Sequence, residues 1–475
     1  MWDNRFFVFL HLNTKLPMDM RHFLRYLLLS LTLLLSVSVF GQSTKWRDIY
    51  QTKKKDTLFG IANKYGITVP DLLDANPDMK TEGYVLKKGT TVFIPFAKPE
   101  RSANSVKTPA TPAKVVTSAK AAIPSSAIRV GMMLPLHDVD GDGRRMVEYY
   151  RGFLMAVEDM KRQGFSTEVY AWNVPIDADM RQTLLKEGAT KCDVIFGPLY
   201  SKQVAALGEF CKAYDIKMVI PFSISGTEVN TNRQVYQVYQ SAESLNRSAI
   251  NAYLNRFPNA HPIFIDCNDT ASTKGIFTFG LRKQLESRGI KYSITNLNSS
   301  PEAFAKAFDR SKQNVVILNS GRSPLLTAAL NKLDLLNSQY PGLVVSLYGY
   351  TEWLMYTKYN LDRFFRYDTY IPSTFYYNAS NAKTVDLERR YKSLFGADML
   401  FAMPRFALIG YDQAQFFLRG FKRFGKNFTG EKAQNTYQPL QTPLYFEKAG
   451  RGGFQNHSFL LIHYTFNKQI ESIAY

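Results

Sequence analysis

The chain has 475 residues, with 59 Lys and Arg against 40 Asp and Glu and a formal charge of +19. Hydrophobic residues at 45% and charged residues at 21% are ordinary globular proportions, which excludes a disordered, collagenous or multi-span membrane chain. Three Cys are too few for a disulfide framework, and the basic excess favours anionic partners.

The first feature in chain order is the apolar run Tyr26 to Phe40, preceded by Arg21 and Arg25. It is shorter than the ~18 residues expected of a membrane helix. A basic start, a short Leu-rich stretch and small residues at its end form a secretory signal over 1–41, cut before Gln42 with Val39 and Gly41 at the −3 and −1 positions. Met18 or Met20 makes a better start for such a signal than Met1. No Cys follows the apolar run, so a lipoprotein is not expected. Export to the periplasm or cell envelope makes nucleic acid an unsuitable partner. It also permits disulfides, but Cys192 and Cys211 lie on apolar faces and read as buried thiols.

Residues 46–96 read as a βααβ unit. A strand at 46–52 leads to a helix capped by Asp56 or Thr57, with Leu58, Ile61, Ala62 and Tyr65 at helical spacing. Gly66 stops that helix. A second runs from Thr68 to Asn76-Pro77, and Thr91 to Ile94 is a second strand. The landmarks Tyr50, Asp56-Thr57-Leu58, Ile61-Ala62, Tyr65-Gly66, Leu72, Asn76-Pro77, Lys88-Gly89 and Ile94-Pro95 give this unit its close resemblance to a LysM domain. The resemblance implies binding of N-acetylglucosamine polymers, hence peptidoglycan, in a shallow groove formed by Asp56, Thr57, Leu58, Asn76, Pro77, Asp78 and Met79. Lys55 stands where the family usually has Gly.

Residues 97–127 are rich in Ala, Pro, Ser, Thr and Lys and hold no aromatic. They read as a tether that spans roughly 30 Å as a coil.

From 128 onward, apolar strands alternate with amphipathic helices. Strands are expected at 128–134, 168–172, 194–197 and 217–221, with helices at 144–162, 178–189 and 204–214 between them. The pattern restarts with helices at 243–257, 273–288, 301–311 and 324–338 and strands at 263–266, 291–296, 315–319 and 343–347. Two doubly wound α/β sheets in succession suggest two lobes, and later helices at 381–395 and 405–424 suggest that the chain crosses back. The stretches RVGMML at 129–134, Arg151-Gly152, IFGPLYSKQ at 195–203, VIPFSISGTE at 219–228, VYQVYQS at 235–241 and GYDQA at 410–414 resemble type I periplasmic binding proteins of the branched-chain amino-acid receptor group.

That resemblance implies a bilobal domain over 128–475 with three crossings, placed near Gln240, Tyr377 and Tyr437. Lobe I is then 128–240 with 378–436, and lobe II is 241–377 with 437–475. It implies a cleft ligand held by Leu136, His137, Ser201, Ser223 and Ser225 from lobe I and by Asp266, Arg322 and Glu352 from lobe II. Hydroxyls, backbone amides and Arg322 would meet a small carboxylate-bearing ligand, and Glu352 an ammonium. Phe222 and Ile224 are bulkier than the small residues the receptors carry there.

No catalytic constellation is present, and no cofactor is expected. Asp138, Asp140, Asp142 and Gly143 look like the start of a calcium loop, but the twelfth position is Tyr149. Gly425 and Gly430 are followed by Glu-Lys, which is no P-loop. No HExxH or Cys/His spacing suits zinc. The sequence therefore predicts an exported wall-binding protein whose bilobal domain senses a ligand or engages a partner. The alternatives are an importer receptor for amino acids or peptides and a regulator of peptidoglycan synthesis or hydrolysis, with transport or wall-synthesis proteins as the respective partners.

Overall fold

The computed structural model describes residues 47–53, 56–80, 86–95, 127–222 and 226–475. The signal segment, nearly all of the linker, Lys55, Ser223, Ile224 and Ser225 lie outside the described residues. No helix among the described residues is long and apolar enough to cross a membrane.

The N-terminal module is the expected βααβ unit. Strands β1 (Asp48–Gln51) and β2 (Thr91–Ile94) pair antiparallel, with Asp48 opposite Ile94. Helices α1 (Leu58–Lys64) and α2 (Val69–Ala75) are capped by Thr57 and Thr68, whose hydroxyls accept from the backbone N–H of Gly60 and Asp71. Ile61, Ala62, Leu72, Met79, Val92 and Ile94 form its core.

Lobe I opens with β3 (Ile128–Leu134), α3 (Gly141–Lys161), β4 (Thr167–Asn173), the short α4 (Met180–Leu184) and β5 (Val194–Phe196). It continues through α5 (Val204–Ala213), β6 (Lys217–Ile220), the turn α6 (Glu228–Thr231) and β7 (Val235–Gln237). Lobe II begins with α7 (Ala242–Arg256), β8 (His261–Asp266), α8 (Gly275–Ser287), β9 (Ser293–Asn296), α9 (Pro301–Ala305) and β10 (Asn314–Leu318). It runs on through α10 (Ser323–Gln339), β11 (Val345–Leu347), α11 (Thr357–Arg366) and β12 (Thr369–Ser373). The chain then returns to lobe I with α12 (Ala382–Phe395), α13 (Phe406–Phe424), β13 (Phe446–Lys448) and β14 (Phe454–Asn456), and ends in lobe II with β15 (Leu460–Tyr464) and β16 (Ile470–Ala474).

Lobe I is a seven-stranded sheet in the order β13-β14-β7-β6-β5-β3-β4, parallel except for the edge pair β13–β14. Lobe II has a four-stranded parallel sheet, β11-β10-β8-β9, and a three-stranded antiparallel one, β12-β15-β16. A parallel bridge between Tyr348 and Tyr370 joins the two. Parallel strands buried on both faces explain the unbroken apolar runs read from the sequence.

Two expectations are corrected. The third crossing lies at 457–459, because β13 and β14 belong to the lobe I sheet; Tyr437 is still within lobe I. The helix expected over 178–189 is limited to Met180–Leu184; Gly188, at φ 92°, starts a separate 3-10 turn at Ala189–Lys191. The acidic turn at 138–142, which lacks the calcium loop's twelfth ligand, opens a helix: the Asp140 carboxylate accepts from the N–H of Gly143 at 2.7 Å and caps α3. All three cysteines are buried, and burial pushes the Cys267 thiol up to about 11, so none is a ready nucleophile.

Candidate functional site

The module's expected groove residues divide into scaffold and lip. Asn76 is buried, and its side-chain amide donates to the carbonyls of Leu72 and Phe93 at 2.7 and 2.8 Å while its oxygen accepts from the Phe93 N–H at 2.8 Å. Met79 is in the module core. Both are thus spent on holding the groove together. Asp56 accepts from the N–H of Lys53 at 2.6 Å and the hydroxyl of Tyr50 at 2.7 Å, and these donors hold its carboxyl below the usual range. It fixes the loop that presents Thr57. Thr57, Pro77 and Asp78 are exposed and Leu58 is half-buried, so the lip offers backbone, small polar atoms and apolar surface. Phe59, next to Leu58 in the chain, is 73% exposed, an aromatic absent from the expected groove. Such a surface suits a sugar ring, with a flat apolar face and acetamido groups at its edge.

Of the expected lobe I cleft residues that are described, Leu136 and His137 are buried and Ser201 is exposed. Leu136 is fully buried in the lobe core, and its N–H donates to Asn173 Oδ1 at 2.8 Å. His137 is buried against the start of α3, with Nδ1 facing the Val139 N–H at 3.4 Å and the Asp140 carboxylate at 3.9 Å. Ser201 is exposed at the head of the turn before α5. Phe222 packs edge-on to Tyr149 at 5.3 Å between ring centroids and lies 5.7 Å from Phe406. The bulk anticipated at Phe222 therefore joins an aromatic cluster beyond the end of β6.

In lobe II the polar residues converge beyond the carboxyl ends of β8, β10 and β11, where ligands bind on such sheets. Asp266 Oδ1 accepts from the Asn268 N–H and from Asn319 Nδ2, both at 2.9 Å. Asp269 accepts from the Ser320 hydroxyl at 2.6 Å, and Arg322 Nη1 approaches its other oxygen at 3.5 Å. Those donors, Ser320 first, hold the Asp269 carboxyl below its ordinary range. Glu352 is paired with Lys274 at 2.7 Å, and Lys274 Nζ sits 4.6 Å from the Tyr350 ring centre. A Cβ at Gly321 would stand 2.2 Å from Glu352 Oε1, so glycine is what admits the carboxylate.

The sequence reading found Asp266, Arg322 and Glu352 at this edge but missed Lys274, Asp269 and Ser320. The signal for Asp269 and Ser320 was their place just past a strand end, and Lys274 opens the helix that follows β8. The Lys274 partnership also changes the part of Glu352, which is neutralised within the protein. Arg322 is exposed and keeps donors to spare for an anion.

The LysM domain family model matches residues 50–95, and the periplasmic binding protein family model matches residues 177–452, more than half of the chain. A comparison with curated proteins finds no match. Among solved structures, one assigned to a branched-chain amino acid ABC transporter of Rhodospirillum rubrum is 14% identical, with a TM-score of 0.51 over 73% of this chain and 100% of that one. A branched-chain amino acid ABC transporter periplasmic ligand-binding protein of Burkholderia xenovorans LB400 is 13% identical, covers 73% and 94%, and has a TM-score of 0.43. LivJ of Streptococcus pneumoniae, in complex with isoleucine, is 14% identical, covers 74% and 100%, and has a TM-score of 0.37. With two parallel-sheet lobes, three crossings and a family match over more than half its length, the chain belongs to the periplasmic binding protein family and carries a LysM domain ahead of that fold.

Proposed function

We propose that this is an exported, envelope-located protein that holds peptidoglycan through its LysM module and senses a ligand or engages a partner through its bilobal domain. The observation that carries the reading is the LysM family match over residues 50–95, within which Thr57, Phe59, Pro77 and Asp78 are exposed and Leu58 is half-buried. Apolar and small polar atoms side by side are what an N-acetylglucosamine ring needs. The basic charge assists by gathering an anionic wall polymer. Export by cleavage near residue 41 and a passive tether at 97–127 belong to the same reading. Neither matched family is catalytic, which agrees with the lack of a catalytic constellation in the sequence.

The expected result is that the full chain sediments with purified peptidoglycan and that a chain lacking 46–96 stays in the supernatant. Sedimentation of both to the same extent would sink the assignment. Loss of both at modest salt would reduce the effect to charge alone.

The polar edge of lobe II favours a cleft ligand with an anionic group, met by Arg322 and by hydroxyls from Ser201, Ser223 and Ser225. It also supports the second reading, a receptor serving an ABC importer for an amino acid or peptide. Calorimetry separates the two. Micromolar binding of free amino acids favours the importer receptor, and binding only of wall-derived peptides favours the wall sensor.

A further inference from the structure

A cavity of about 420 Å³ lies at the seam between the LysM module and lobe I. The seam is built from unlike parts. Ile49 and Ala75 of the module are buried in the same apolar cluster as Ile128, Tyr150 and Leu154 of lobe I. Beside them Asp48 Oδ1 accepts from Arg151 Nε and Nη2 at 3.1 and 3.0 Å, with the two side chains only 8% and 20% exposed. Tyr65 donates to the second oxygen of Asp48 at 3.4 Å, and the Tyr391 hydroxyl is 3.5 Å from Arg151 Nη1. Two charge-assisted N–H bonds from one guanidinium to a single buried carboxylate oxygen are strong. Either charge left alone there would be a heavy penalty. These contacts fix the module in one orientation, which a 31-residue tether alone would not.

The cavity beside this pair is lined from the module by Tyr50, Lys53 and Lys64 and from lobe I by Asp138, Arg144 and Asp398, among others. Its size is that of a small-molecule site at a domain seam. Its acids are all engaged. Asp48 has Arg151, Asp138 lies 3.7 Å from Arg144, Asp398 lies 3.1 Å from Lys392, and Glu148 accepts from the N–H groups of Leu400 and Ala407. Lys53 and Lys64 make no close ion pair among the described residues, though both act on the Asp56 carboxylate from a distance; Lys64 Nζ rests 4.3 Å from the Tyr50 ring centre. Tyr50 and Lys53 also both bond Asp56, so the loop that forms the cavity rim is the loop that presents Thr57 to the groove.

We propose that module and lobe I act as one seated unit, and that the seam cavity receives the acidic, carboxylate-bearing peptide substituent of a glycan whose sugars occupy the neighbouring groove. This rests on the groove reading above and deepens it. Sugar rings would lie on the lip, and the substituent would turn over the rim, where Lys53 and Lys64 meet its carboxylates and Tyr50 packs against its chain.

The test is calorimetry on the full chain with two probes, a neutral N-acetylglucosamine oligomer and a muropeptide of similar sugar length. The muropeptide should bind at least tenfold more tightly. That preference should vanish in Lys53→Glu/Lys64→Glu and in Arg151→Glu, which leaves the module's own sequence intact. It should return in the exchanged pair Asp48→Arg/Arg151→Asp, while binding of the neutral oligomer stays unchanged throughout. Binding of neither probe by the native chain would remove the groove reading and this inference with it. Equal binding of both probes, or a preference that survives Arg151→Glu, would overturn this inference and leave the groove reading standing. A second readout needs no ligand. After proteolysis within 97–127, the module should co-elute with the remainder in gel filtration for the native chain and separate for Arg151→Glu. Separation of the native fragments would overturn the seating.

Discussion

Replacing Gly152 by Ala should destabilise lobe I by about 3 kcal/mol, the upper end of ordinary overpacking. Helices α3 and α13 cross closely through two glycines. A Cβ at Gly152 would stand 1.8 Å from the carbonyl oxygen of Ala407, and one at Gly410 would stand 2.0 Å from that of Tyr149. In both cases the obstacle is backbone, so no rotamer change relieves it and the helices must separate. Separation would loosen the core that Phe153, Phe196 and Phe417 share, where ring centroids lie 4.9 and 5.7 Å apart. Thermal unfolding should show the melting temperature falling by roughly 5–10 °C for Gly152→Ala. Gly410→Ala should behave alike. The two changes together should fall short of additive, because one separation of the helices accommodates both. A Gly152→Ala protein that melts within a degree of the native chain would refute this account of the helix pair.

The same two positions show what the sequence could and could not convey. Arg151-Gly152 and GYDQA carried the family resemblance, and both stretches serve contacts within the fold. Gly152 and Gly410 serve helix contact, Arg151 serves the module seam, and Gln413 accepts from the Tyr149 hydroxyl at 2.8 Å. The parallel strands were legible because both faces are buried and the apolar runs are unbroken. Strands β13 and β14 were not, because they are short and partly exposed and β14 takes its parallel partner, β7, from far away in sequence. That is why the third crossing was placed about twenty residues early. The polar edge of lobe II was legible only in part. Residue type and strand end indicate Asp266 and Glu352, but the pairing of Glu352 with Lys274 depends on how α8 is set against the turn at Thr351–Tyr356. The seam was invisible for a similar reason: Asp48 and Arg151 are 103 positions apart, across a segment that reads as a passive spacer.

Asp412, at the centre of GYDQA, should show the largest single effect on stability when replaced by Ala. Its side chain is buried within lobe I and accepts from four donors: the N–H groups of Leu440, Gln441 and Thr442 at 2.8, 2.9 and 2.8 Å, and the Tyr437 hydroxyl at 2.8 Å. Burial pushes its carboxyl up to about 6, and the four donors work against that rise. Ala at 412 leaves three N–H groups and a phenol without an acceptor in the interior. At about 1–3 kcal/mol for each orphaned group, the loss should reach 4 kcal/mol or more. The damage should be local before it is global. Residues 437–442 are held to α13 mainly by this carboxylate, and Gln441 in turn accepts from Arg405 N–H at 2.9 Å and offers its carbonyl to Tyr376 N–H at 2.9 Å. Releasing the segment therefore frees one of the links beside the second crossing, and limited proteolysis should cut near 437–442 in Asp412→Ala under conditions where the native chain is intact. Tyr437→Phe removes one donor and leaves the carboxylate its three amides, so it should cost only about 1 kcal/mol. The contrast between these two variants in denaturant unfolding is the decisive measurement. If Asp412→Ala costs no more than Tyr437→Phe, the amides find water or another acceptor, and the carboxylate is not what holds this segment in place.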